Sequence, residues 1–429
     1  MGKQETNGTF LDVAVIGGGH AGLSISYCLK RHSLNHMVFE RGRIGESWLS
    51  QRWDSFVMNT PNKINVLPGQ IYSGNNSDRF GTAREFVDSL KAYASEFQLP
   101  VLENAQVISV TKPDGDPYFT VSVSENGTIK SYQSKQVIVT SGCQNEKRIP
   151  LFAKNISSGI LQLHSSEYRN ASQLPEGASL VIGSGQSGCQ IVEELAEAGR
   201  KVFLSTSMVA RIPRRYRGKD ILDWLMMMNF YDVRTETVTD PKVLGMTVPL
   251  LSGIGELGHT LSYQLLAKKG VTILGKMENA DADNLFFAAN ASEHIKFGDG
   301  FSQKAKGMVD DFILRNQISA PSPEIDIADL PDSDATCASS ITLLNLKDDN
   351  ITSVIWTTGF HGDFSYLKVP INFANDGNPK HTNGCSDFKG LYFLGLPWLR
   401  MRKSSLIYGI NDDAAFIADT VVNNIIGLS

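Results

Sequence analysis

Two stretches of this chain, "DVAVIGGGHAGLSISYCLKRHSLNHMVFERG" at 12–42 and "SLVIGSGQSGCQIVEELAEAGRKVFLS" at 179–205, repeat one pattern. Each has an apolar run, a glycine turn, an amphipathic segment and a second short apolar run. That order predicts strand, loop, helix and strand, which closes a βαβ unit. Parallel strands need such a crossover, so each copy predicts its own domain. The fold class is therefore α/β, with two Rossmann-like (doubly wound) dinucleotide-binding domains. The second is expected as an insertion in the first, at 155–350, between 1–154 and 351–429. With 41% hydrophobic residues, the 429-residue chain can bury both cores.

Between the two copies, "PYFTVSVSENGTIKSYQSKQVIVTSG" alternates apolar and polar residues around Asn126-Gly127, which predicts a β-hairpin running into a buried strand at 137–140. From 220 to about 350 the periodicity blurs, and the "MMM" cluster at 226–228 reads as core or interface filling. The runs "ITSVIWTTG" and "GLYFLGL" restore strands toward the C-terminus.

Charge and cysteine usage exclude several classes. A net charge of −5 with both signs interspersed offers no basic surface for nucleic acid. The start "MGKQETNGTF" lacks an apolar leader, and no uninterrupted run of about 18 apolar residues follows. The expectation is a cytoplasmic protein with no integral membrane segment, in which the "NGT" triplet at Asn7 is a chance match. Cys28, Cys143, Cys189, Cys337 and Cys385 are widely spaced and contain no C-x-x-C pair. Neither a disulfide framework nor a metal site is expected.

The loops carry the chemistry. In Gly17-x-Gly19-x-x-Gly22 the first glycine permits a tight turn, the second lets the backbone approach a pyrophosphate, and the third allows helix–strand contact. Glu40, closing the second strand, can accept hydrogen bonds from ribose hydroxyls. The second loop, Gly183-x-Gly185-x-x-Gly188, has no such acid; Ser205, Ser207, Arg211, Arg214 and Arg215 follow instead. A carboxylate would repel a 2′-phosphate and an arginine would pair with it, so this loop predicts NADPH rather than NADH, with Arg211 on the phosphate.

The ordered set "GGGHAG", "FERGRIGESW", "RWDSFVMNTP", "LHSSEYRN", "GSGQSGCQ" and "WTTGF" resembles the class B flavin-containing monooxygenases, closest to bacterial flavoproteins labelled as linked to potassium transport. The resemblance implies FAD on Gly17, Gly19, Gly22 and Glu40, with Arg41 beside them, and Trp48 and Asn59 near the flavin. It places NADP on Gly183, Gly185, Ser187 and Gly188. His164 and Tyr168 would match the family's first linker, and Thr358-Gly359 the second. Asn59, His164 and Tyr168 are the expected catalytic set.

One departure is that four residues separate Gly159 from His164, where the family has three between its glycine and histidine. An interdomain histidine satisfied by a backbone carbonyl is an equally good reading of His164 from the residues themselves. The implied reaction is NADPH reduction of FAD, O2 addition at flavin C4a, and transfer of one oxygen to a small organic substrate. N- or S-oxygenation, Baeyer–Villiger insertion and oxidative decarboxylation all stay open, and a homodimer is allowed for. The substrate pocket is expected to draw on 220–345 and on the C-terminal "LRMRKSSLIYGIND". A redox sensor that binds both cofactors without oxygenating anything is the alternative; a dithiol reductase would need a C-x-x-C pair.

Overall fold

The computed structural model describes residues 10–246 and 248–427. The readings of the N-terminal leader and of Asn7 lie largely outside them. The first sheet contains β1 (Phe10–Ile16), β2 (His36–Phe39), β3 (Val101–Leu102), β4 (Ala105–Thr111), β5 (Phe119–Glu125) and β6 (Thr128–Val139), ordered β3-β2-β1-β6-β5-β4. Helix α1 (His20–Arg31) crosses from β1 to β2, and α2 (Glu46–Ser50) and α3 (Ala83–Glu96) follow. β1 is central and apolar because strands flank it on both sides, whereas β4–β5–β6 form an antiparallel meander. The hairpin turns at Asn126 (φ 50°) and Gly127 (φ 84°), left-handed conformations that asparagine and glycine tolerate.

The second sheet is wholly parallel. It contains β7 (Leu161–His164), β8 (Ala178–Ile182), β9 (Val202–Ser205), β10 (Thr272–Leu274) and β11 (Ile351–Trp356), ordered β10-β9-β8-β11-β7. Its crossover helix is α4 (Gln186–Glu197), and α5 (Ile221–Met227) and α6 (Tyr263–Lys268) follow β9. Here one expectation is corrected: β11 was expected in the first unit, but it pairs with β8 and β7, so the second sheet runs to Trp356 rather than ending at 350. The chain then returns to the first sheet, where β12 (Leu391–Phe393) pairs with β6, and α8 (Ile410–Ile426) packs on α1.

The blurred segment is structured. It contains a three-stranded antiparallel sheet (Met277–Asp281, Asn284–Phe287, Leu343–Asn345) and α7 (Ala291–Arg315). Gly298, Gly300 and Gly307 disguise that helix in the sequence. Arg211 holds it in place: its guanidinium is buried and pairs with Asp299 of α7 and with Asp329.

Candidate active site

The two glycine loops are built alike. The strand ends are in register, Ile16 beside Val139 and Ile182 beside Trp356. The next residue therefore reaches the loop in each case. Thr140 donates its hydroxyl to the Ile16 and Gly17 carbonyls, both at 2.9 Å. Thr357 does the same to Ile182 at 2.9 Å and Gly183 at 2.7 Å. Gly17 (φ 113°) and Gly183 (φ 104°) take a turn closed to other residues. A Cβ on Gly22 would lie 1.9 Å from the Gly17 carbonyl oxygen, and one on Gly188 2.0 Å from that of Gly183. By contrast, a Cβ on Gly19 or Gly185 would meet nothing within 4 Å. Those two face a cavity.

α1 and α4 start at these open glycines with no side-chain cap and no acid in the first turn. α3, by contrast, carries a full capping box from Thr82 and Glu85. Uncapped N–H groups beside an open glycine suit a pyrophosphate. The first helical residue of each also aims a buried, unpartnered nitrogen: His20 Nε2 and Gln186 Nε2. Burial holds His20 down to about 4, so it is neutral near pH 7. These orphans and open faces fit one dinucleotide on each loop.

One cavity of about 2280 Å3 joins the cradles. Gly17, Gly19, Glu40, Arg41, Trp48 and Asn59 line it from the first unit, and Gly183, Gly185, Ser187, Thr358 and Gly359 from the second. Glu40 accepts from the Gly18 N–H at 2.6 Å and the Gly42 N–H at 2.8 Å. Burial pushes its pKa up against those two donors. Its place at the end of β2 suits a ribose diol. Trp48 sits edge-on to Phe86, with the Arg52 guanidinium 4.8 Å from its ring centroid. Asn59 ties the units together: its Oδ1 accepts from Gln190 of α4 at 2.9 Å, and its backbone carbonyl from Arg214 at 2.7 Å.

Several expected site residues lie elsewhere. Arg211 is 3% exposed, spends its fork on Asp299 and Asp329, and does not line the cavity, so it is not placed to take a 2′-phosphate. Arg214 is likewise committed to Asp220. Tyr168 is fully buried and donates to Glu194 at 2.6 Å, pinning α4 rather than meeting the cavity. His164 is also off the cavity. Its Nε2 contacts the Gly359 carbonyl at 3.0 Å and its Nδ1 accepts from the Ser166 N–H at 3.2 Å. Those partners put the proton on Nε2, and burial lowers the ring's pKa. His164 thus positions the Thr358-Gly359 turn, which the Arg148 N–H also grips at 3.0 Å.

Sequence reasoning missed Lys276. It follows β10, the strand beside β9, lines the cavity, and has no carboxylate within ion-pair reach among the described residues. Nothing local marks it, because β10 lies far along the chain from the glycine loop. The far wall of the cavity comes from residues within 222–246, 248–251, 301–308 and 397–408, the regions expected to supply a pocket. Met226 and Met228 of the methionine cluster, expected as core or interface filling, pack against a core cluster and also line this wall.

Among known proteins, a family described as pyridine nucleotide-disulphide oxidoreductase matches residues 14–223. An uncharacterized CzcO-like oxidoreductase of Geobacillus kaustophilus is 31% identical over 96% of this chain and 99% of its own length. A flavin-containing monooxygenase from Stenotrophomonas maltophilia superposes with a TM-score of 0.65 at 17% identity, covering 97% of this chain and 99% of that one. The ornithine N-hydroxylase KtzI of Kutzneria sp. 744, with reduced FAD, NADP+ and L-ornithine, gives 0.61 at 15%, covering 97% and 100%. No helix among the described residues is long and apolar enough to cross a membrane. The fold is that of the two-dinucleotide flavin monooxygenases, and the chain belongs to the CzcO-like oxidoreductase family.

Proposed function

We propose that this protein is an NADPH-dependent flavin monooxygenase that places one oxygen atom from O2 on a small organic substrate. The observation that carries the reading is the single cavity reaching both glycine cradles and continuing into a largely apolar chamber. FAD, when bound, supplies two-electron oxidation of NADPH and activation of O2. The chain's own residues bind, orient and dehydrate. Gly19 and the start of α1 receive the FAD pyrophosphate, and Glu40 accepts from its ribose. Gly185, Ser187 and the start of α4 receive the NADP pyrophosphate, with Lys276 for the 2′-phosphate. Asn59, on the seam between the units, offers an amide N–H to the reacting oxygen. His164 acts at one remove by holding the Thr358-Gly359 turn.

A dithiol reductase is not favoured: among the described residues Cys143 alone of the cysteines lines the cavity, and burial raises its pKa. Anaerobic reduction by NADPH followed by O2 tests the proposal. With a competent substrate, O2 consumption should exceed peroxide release. Stoichiometric peroxide under every substrate tried would point to a sensor that binds both cofactors and oxygenates nothing.

A further inference from the structure

In the C-terminal run Arg400-Met401-Arg402-Lys403 three cations crowd into four positions. Two are neutralised: Arg400 pairs with Asp413, and Lys403 with Asp232 and Asp412. Arg402, between them, lines the cavity with no carboxylate in reach among the described residues. Its guanidinium lies 4.0 Å from the Phe230 ring centroid and 5.3 Å from that of Trp398. It donates to the Phe230 carbonyl at 3.1 Å, while its backbone N–H bonds Val233 at 2.9 Å. One of its five N–H donors is thus accounted for.

A second unsatisfied group belongs to the same wall. The Tyr408 hydroxyl is buried with no partner among the described residues, and its ring stands edge-on to Tyr231 at 5.6 Å. The wall on this side is mostly apolar, with Leu222, Leu225, Met226, Met228 and Ile407 beside Asn229, Lys304 and Ser405. A half-buried arginine without a counter-ion carries part of a desolvation cost, and an orphaned hydroxyl adds to it. Both groups border Tyr231, so one anion lodged beside that ring relieves both. Two parallel N–H groups of a guanidinium match the two oxygens of a carboxylate, and a single arginine matches a single charge. An apolar wall around that corner selects an apolar body.

We infer that Arg402 and Tyr408 form a carboxylate-binding corner of the substrate chamber, and that the substrate is an apolar organic monocarboxylic acid. The binding part stands on these contacts alone; that the acid is also oxygenated rests on the monooxygenase reading above.

The test is equilibrium binding of 3-phenylpropanoate and its neutral amide to the FAD-loaded protein, read by perturbation of flavin absorbance and by calorimetry. The acid should bind at least about tenfold tighter than the amide, the size of one charge-assisted pair. Arg402→Gln should erase that preference and leave amide affinity within about twofold, Arg402→Lys should keep part of it, and Tyr408→Phe should cost a smaller factor of about three to ten. FAD content and melting temperature mark a folded variant. Should Arg402→Gln fail to retain FAD, the acid-to-amide ratio of the parent and of Arg402→Lys decides.

Equal binding of acid and amide by the parent overturns the inference. So does a rise in NADPH KM or loss of FAD in Arg402→Lys with the ratio intact, which would assign the cation to a cofactor. Oxygenation of neutral amines or sulfides with no preference for acids removes the corner and leaves the monooxygenase. Acid binding without any oxygen transfer does the reverse.

Discussion

The two glycine loops share a backbone and differ at the ribose edge. Each is clasped by a threonine from the neighbouring strand, starts an uncapped helix, and closes helix against turn so tightly that a methyl group is excluded. One residue past the strand carbonyl that takes the turn's N–H, the first loop has Glu40 and the second has Thr206, and both line the cavity. Thr206 carries no charge, and its hydroxyl is committed, donating to the Leu274 carbonyl at 2.6 Å. The open, uncapped cradle is thus a property of the turn, common to both. Which nucleotide is chosen depends on a group contributed from outside it.

The largest expected effect breaks the sequence-level account of that choice. Arg211→Ala leaves Asp299 buried without a cation and Asp329 with Lys306 alone, and should cost about 3 kcal/mol of stability. Chemical denaturation reads this, and the NADPH-to-NADH ratio of the folded fraction should not change. A collapse of that ratio at normal stability would return Arg211 to the nucleotide site.

Gly22→Ala and Gly188→Ala separate the loops. The first should lose FAD; the second should stay yellow yet raise the NADPH KM by roughly tenfold or more, about 1.4 kcal/mol of binding at the least. Gly19→Val, with open space at its Cβ, should fold normally and still lose FAD, since the branched side chain takes the pyrophosphate's place. Full flavin content in that variant would move the site.

Smaller effects sharpen the ribose-edge difference. Glu40→Gln should weaken FAD by about 1.5–3 kcal/mol, read by fluorescence titration of the apoprotein, with NADPH binding untouched. Lys276→Ala should narrow the NADPH preference by roughly tenfold in kcat/KM, one charge-assisted contact's worth. An unchanged ratio would leave the 2′-phosphate to another cation.

The smallest effect is in pH. His20 and Gln186 hold equivalent places, but only His20 titrates. Its pKa falls from about 6.5 in the unfolded chain to about 4 in the folded one, so the neutral ring favours folding. That contribution is complete above about pH 6.5 and is lost as pH drops toward 4. Buried His36, His164 and His294 shift in the same direction. The parent should therefore lose stability and flavin over this window, and His20→Gln should lessen the slope without abolishing it. An identical slope in the variant would mean the ring is already solvated.

Much of the fold was legible because it is local. A turn that needs φ above +100° at Gly17 and Gly183 leaves its mark within six residues, and so does a hairpin through Asn126-Gly127. The two-domain α/β organisation followed from reading such a turn twice. Side-chain assignments were less legible. Tyr168 reads as a linker residue until Glu194 is found to take its hydroxyl, and β11 reads as part of the first unit until it pairs with β8.

The sequence by itself determined that two glycine turns of one kind exist, where each lies, and that the first is followed by an acid and the second is not. The tertiary structure decided which charges remain available to a ligand. Arg211 is neutralised by partners 88 and 118 residues away, whereas Arg402 has no carboxylate partner among the described residues, Asp232, Asp412 and Asp413 being paired with its neighbours. Backbone conformation is set by adjacent residues, whereas charge compensation acts through space between segments that only folding brings together.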